Sequence, residues 1–172
     1  MPRYVALLRG VSPMNCKMAE LKACVEAVGY ANVKTLLSSG NVVFDTARKT
    51  ADAALEKKLE AAIQQHLGRG FYTIVRPVAE LQELLDADPF AEFELPPQAK
   101  RVVSFLRAEP KAAMALPLRL SKASILAIRG REILSAYEPG DDSPVFMALI
   151  EKTFGKDITT RTWDTVRKCA SA

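Results

Sequence analysis

Two short stretches carry residue types that bind anions: Arg9 and Lys17 in one, Ser38, Ser39 and Asn41 in the other. Cations, hydroxyls and an amide supply donors and positive charge without a visible nucleophile–base pair. Arg107, Lys111, Arg129 and Arg131 form a second basic set. Arg161 beside Trp163 is a third, in which a guanidinium takes a negative charge and an indole offers a stacking surface. Each has a plainer reading. Ser39-Gly40-Asn41 is good turn chemistry, and Asn15 is placed to cap a helix. Trp163 shares a helical stripe with Val166 and Ala170, which makes it a core anchor.

Few other residues could do chemistry. Cys16 stands beside Lys17 near a helix start, where a thiol pKa can fall, but no partner cysteine or base is spaced to use it. Cys24 flanks an apolar stripe. The single histidine, His66, falls near the end of a helix, where its charge suits the dipole. One histidine leaves no His-based zinc spacing and no other candidate for a Ser-His-Asp arrangement, so no metal and no cofactor are expected. Glycine-rich nucleotide loops and the aromatic signatures of RNA-recognition sheets are missing as well.

The elements that must position these residues follow from periodicity. Residues 3–8 read as a buried strand. Met18, Leu21, Val25 and Val28 then mark a helix closed by Gly29. Strands are expected at 33–38 and 42–45, joined by Ser39-Gly40-Asn41. Leu55, Leu59, Ile63 and Leu67 stripe a second helix closed by Gly68, and residues 71–76 read as a strand stopped by Pro77. This β-α-β-β-α-β order is the ferredoxin-like arrangement. It sends the Arg9–Lys17 loop and the Ser38–Asn41 turn to one sheet edge, beside the N-terminus of the first helix.

Residues 78–99 read as a connector, with a short helix over Val78, Leu81, Leu84 and Leu85, then Asp88-Pro89-Phe90 and Pro96-Pro97. The order then repeats more loosely. Strands are expected at 101–106, 124–128, 132–136 and 158–160, with a short helix near 111–115. A longer helix opens at Ser143-Pro144 and a terminal helix carries Trp163. The expected fold is therefore α+β, as two tandem ferredoxin-like lobes with antiparallel sheets and helices on one face. Residues 1–77 form the first lobe, 78–99 the connector and 100–172 the second lobe.

The chain has 172 residues, 49% hydrophobic and 26% charged, with a formal charge of +4. That is ordinary globular composition, mildly suited to anionic partners. Charge is unevenly placed: residues 100–131 hold eight Lys or Arg and one Glu, while 80–94 hold six Asp or Glu and no cation. The basic segment is either a binding face or the partner of the acidic one. The apolar run at 4–8 is too short for a signal-peptide core, and no stretch approaches a membrane span. Three cysteines without a C-x-x-C spacing read as reduced thiols, so the expected compartment is the cytoplasm.

Four stretches together resemble the "domain of unknown function 1697" family. They are Tyr4-Val-Ala-Leu-Leu-Arg-Gly10, Lys17-Met-Ala-Glu-Leu21, Ser38-Ser-Gly-Asn-Val-Val-Phe44 and Thr159-Thr-Arg-Thr-Trp-Asp-Thr-Val166. The resemblance implies an α+β fold in a soluble bacterial protein, and it brings no activity and no catalytic residues. The family's glycine-rich stretch before the lysine is here Val11-Ser-Pro-Met-Asn-Cys16, without glycine, which weakens a backbone phosphate cradle at this loop.

Function is thus left unknown, and whether the chain is an enzyme stays open. The reading placed first is a binding module for a nucleotide or nucleic acid through basic loop edges. The alternatives are an enzyme acting on a small phosphorylated or carboxylated substrate, and a structural or interaction protein, including a homo-oligomer. No membrane partner is expected.

Overall fold

A computed structural model describes residues 1–110, 115–120, 122–140 and 143–172. Lys111, with the helix expected around it, lies outside the described residues. The chain is an α+β protein with two antiparallel sheets and, among the described residues, five α-helices. It divides into two compact units, Met1–Asp86 with Arg167–Ala172, and Ala87–Val166.

The first unit runs β1 (Arg3–Leu8), α1 (Met18–Ala27), β2 (Ala31–Leu36), β3 (Asn41–Asp45), α2 (Asp52–Leu67), β4 (Thr73–Pro77) and α3 (Val78–Ala87). Its sheet has the order β2-β3-β1-β4, with every neighbouring pair antiparallel. Strand alternation puts Tyr4, Ala6 and Leu8 into one core with Leu21 and Val25 of α1 and Leu55, Leu59 and Ile63 of α2. Each such aliphatic side chain contributes about 1.5–3 kcal/mol when fully buried. The residues that alternate with them, Val5, Leu7, Val43 and Ile74, are buried too, and so is Arg76.

Several boundaries differ from the periodicity reading, three of them for a clear physical reason. β4 runs into Pro77 instead of stopping before it. As an edge strand it has one neighbour, so the missing N–H costs no ladder bond. β2 starts at Ala31 and carries a bulge before Lys34, with Asn32 at a φ of +50°. It also ends at Leu36, because Leu36 pairs with Asn41 and leaves 37–40 as a four-residue turn.

The second unit holds a 3₁₀ turn (Pro89–Glu92), β5 (Lys100–Leu106), β6 (Leu118–Leu120), β7 (Ala123–Arg129), β8 (Glu132–Tyr137), α4 (Ser143–Phe154), β9 (Ile158–Thr162) and the start of α5 (Trp163–Ser171). The strand order is β6-β7-β8-β5-β9, again antiparallel throughout. Val102, Ile125 and Ile133 pack with Phe146, Leu149 and Ile150 of α4. The three-residue β6 was not expected; Pro117 and the shortness of the run hide it from any period-two pattern.

α5 opens on a side-chain cap, since the Thr165 N–H donates to Thr162 Oγ1 at 3.3 Å and the two hydroxyls lie 3.0 Å apart. Thr162→Ala is expected to lower the unfolding free energy by about 1 kcal/mol, read from urea denaturation. An unchanged midpoint would show the cap to be idle.

Candidate functional site

β1 and β2 end at the same edge of the first sheet at which β3 and β4 begin. Two backbone bonds draw three segments together there. The Leu8 N–H donates to Gly40 O at 2.9 Å, and the Arg9 N–H donates to Tyr72 O at 2.8 Å. The β1–α1 loop, the β2–β3 turn and the α2–β4 connection therefore meet.

The loop is braced from inside. Asn15 Nδ2 donates to Gly10 O at 2.8 Å, and its Oδ1 accepts from the Ser12 N–H at 2.9 Å. Asn15 thus closes the loop instead of capping α1. The N-cap position belongs to Lys17, in extended backbone and without a side-chain cap bond. Val11 is buried against Gly40, whose φ is +86°. A Cβ there would stand 3.0 Å from Leu8 Cβ and from two side-chain atoms of Val11. Only glycine fits that approach.

Asn41, read from sequence as a ligand group, is fully buried. Its Nδ2 donates to Leu36 O at 2.9 Å and to Ser39 Oγ at 3.0 Å, so the amide holds the turn. Ser38, Ser39 and Lys17 are exposed, and Arg9 is half-buried.

Arg69 was passed over in the sequence, yet it belongs here. It is exposed, with its guanidinium 5.0 Å from the Phe71 ring centroid. The signal that could have found it is topological: the α2–β4 connection reaches the same edge as the β1–α1 loop. Its charge is felt at Cys16. Burial pushes the Cys16 thiol up, the Glu20 carboxylate adds to that, and Arg69 opposes both without reversing the shift. Cys16 is therefore a protonated, buried side chain and not an activated nucleophile.

The corresponding edge of the second unit is built alike, but carboxylates stand beside its cations. The Leu106 N–H donates to Arg131 O at 2.9 Å, which places Arg107 beside the Arg129-Gly130-Arg131 hairpin. Arg129 Nη2 pairs with Glu92 Oε2 at 2.9 Å. A Cβ on Gly130 would stand 3.8 Å from Glu109 Oε1, so a second carboxylate flanks the turn. At Arg129 and Glu92 the basic and acidic segments do pair.

Arg161 lies in β9 and is buried. Its Nη1 donates to Thr159 Oγ1 at 2.7 Å and to Thr160 O at 2.9 Å. Trp163 is buried edge-on against Phe90, with centroids 4.9 Å apart at 72°. Both belong to the second unit, whereas Arg9, Lys17 and the 37–41 turn belong to the first. Among the described residues, no group of three or more His, Cys, Asp or Glu could hold a metal ion. No helix of the described residues is long and apolar enough to cross a membrane.

The fold defines a two-sheet α+β protein with Arg and Lys residues in the loops at one edge of each sheet. The model of the family described as "Protein of unknown function (DUF1697)" matches residues 1–133, and the chain belongs to that family. The fold is similar to the solved structure of conserved bacterial protein SP0830 from Streptococcus pneumoniae. The TM-score is 0.68 at 19% identity, over 99% of this chain and 97% of that one. Comparison with curated proteins finds no match. No function is assigned by any of these relationships.

Proposed function

We propose that the chain is a binding module for an anionic ligand, with the loop edge of the first unit as its site. One observation carries the reading. The segments that meet there, residues 9–17, 37–41 and 68–72, carry the exposed Lys17 and Arg69 and the half-buried Arg9 and contain no Asp or Glu, the carboxylate that acts on Cys16 being Glu20 in the first turn of α1. The exposed Ser38 and Ser39 add hydroxyl donors. The second edge, with Arg107, Arg129 and Arg131, is the weaker candidate because Glu92 already engages Arg129.

The two units are read as tandem ferredoxin-like lobes, 1–77 and 100–172 about the segment 78–99. Matching registers support this. Val5 pairs with Val43 and Arg76, and Val103 pairs with Leu134 and Arg161. Arg76 Nη1 donates to Val75 O and Arg161 Nη1 donates to Thr160 O, each the preceding carbonyl. β4 and β9 both run directly into a helix. The buried Cys16, Cys24 and Cys169, none of them in a disulfide, support a reducing, cytoplasmic setting.

The test is a titration of the full chain with inorganic phosphate, ADP, short carboxylates and a single-stranded RNA oligomer, at low and physiological salt. A saturable site that persists at physiological salt, and that Lys17→Ala/Arg69→Ala weakens about tenfold, is expected. Binding that vanishes equally with salt for every polyanion, or that ignores both substitutions, would sink the reading.

A further inference from the structure

We infer that the partner of this edge is an acidic protein segment carrying an apolar side chain, not a nucleic acid. The inference rests on the anion-binding reading above and specifies its ligand.

Two apolar residues stand at the same edge as the three cations. Met14, in the braced loop, is 94% exposed, and Leu37, in the β2–β3 turn, is 51% exposed. Leu37 is also held at a φ of +59°, left-handed backbone that a leucine enters only at a cost. Glycine or asparagine would sit there freely, and the same turn does use glycine at Gly40, where the packing demands it. A leucine kept exposed in strained backbone contributes nothing to the core that the strain would repay, which is the pattern of a side chain held for a partner.

The chemistry of the edge selects that partner. The exposed Lys17 and Arg69 call for negative charge, and Met14 and Leu37 call for apolar surface close to it. Methionine is flexible and adapts to irregular peptide surfaces. Nucleic-acid bases would need a stacking platform, and every described Trp, Tyr and Phe is buried or half-buried.

Fluorescence anisotropy on the full chain, at physiological salt, tests this with three labelled probes. They are a short Glu/Leu peptide, a Glu/Ser peptide of equal charge and an oligo-dT of similar charge. The Glu/Leu peptide is expected to bind about tenfold more tightly than either of the others. Leu37→Asn is expected to remove most of that advantage while raising the melting temperature, and Met14→Ser to reduce the advantage at unchanged melting temperature. Equal affinity for the two peptides, tightest binding of oligo-dT, or a lower melting temperature in Leu37→Asn would each overturn the inference. In those cases Lys17→Ala/Arg69→Ala still weakens phosphate binding if the anion site itself is sound. Loss of all probes and of phosphate binding removes the underlying reading as well.

Discussion

Gly40→Ala is expected to lower the unfolding free energy by about 2–5 kcal/mol. The figure combines left-handed backbone for a residue with a Cβ, about 1–2 kcal/mol, with overpacking of about 1–3 kcal/mol. Both effects act at one atom. At a φ of +86° the new methyl meets Leu8 Cβ and the Val11 side chain at 3.0 Å. These neighbours cannot swing aside, because Leu8 is locked in the central strand and Val11 in a loop braced by Asn15. The clash separates the β1–α1 loop from the β2–β3 turn, so anion binding should fall together with stability. Urea denaturation followed by circular dichroism reads the first effect. A loss below about half a kcal/mol would mean that the two segments are not packed as described.

Arg76→Ala is expected to cost about 2–5 kcal/mol, the range for truncating a large, fully buried side chain to alanine. Arg76 is completely buried in β4, with Nη1 donating to Val75 O at 3.2 Å. Truncation leaves a cavity and strands the groups that the guanidinium satisfied. Arg161 occupies the same register in β9 and makes the same contact to its preceding carbonyl, so Arg161→Ala should destabilise by a similar amount. The pair of substitutions also decides what Arg161 is for. Destabilisation without altered phosphate affinity per folded molecule marks a structural arginine. Full stability with lost affinity would make Arg161 a ligand residue and break its equivalence with Arg76.

What could be read from sequence divides along physical lines. α2 was plain, because Leu55, Leu59 and Ile63 repeat every turn and Gly68 ends the helix in left-handed backbone. The meeting of the 9–17 loop with the 37–41 turn was also accessible, since strand parity alone puts them at one edge. Side-chain direction was not. Asn41 and Asn15 look like ligand and cap in sequence, yet each turns inward to satisfy a carbonyl of its own loop. An amide can serve either end, and only the loop geometry chooses. Arg76 reads as the polar end of a strand, because nothing in a five-residue run reveals that both faces of a sheet are buried. Arg69 lies in a short connection without periodicity, and Leu37 reads as strand until the pairing of Leu36 with Asn41 fixes the length of the turn.

The most direct test of the central claim is a ¹⁵N–¹H correlation titration of the full chain with inorganic phosphate at physiological salt. Saturable shifts confined to residues 9–17, 37–41 and 68–72 are the expected result, because those backbone groups line the edge that holds Arg9, Lys17 and Arg69. Shifts centred on Arg107, Arg129 and Arg131, or no saturable shifts anywhere, would contradict the assignment of the first unit's loop edge as the binding site.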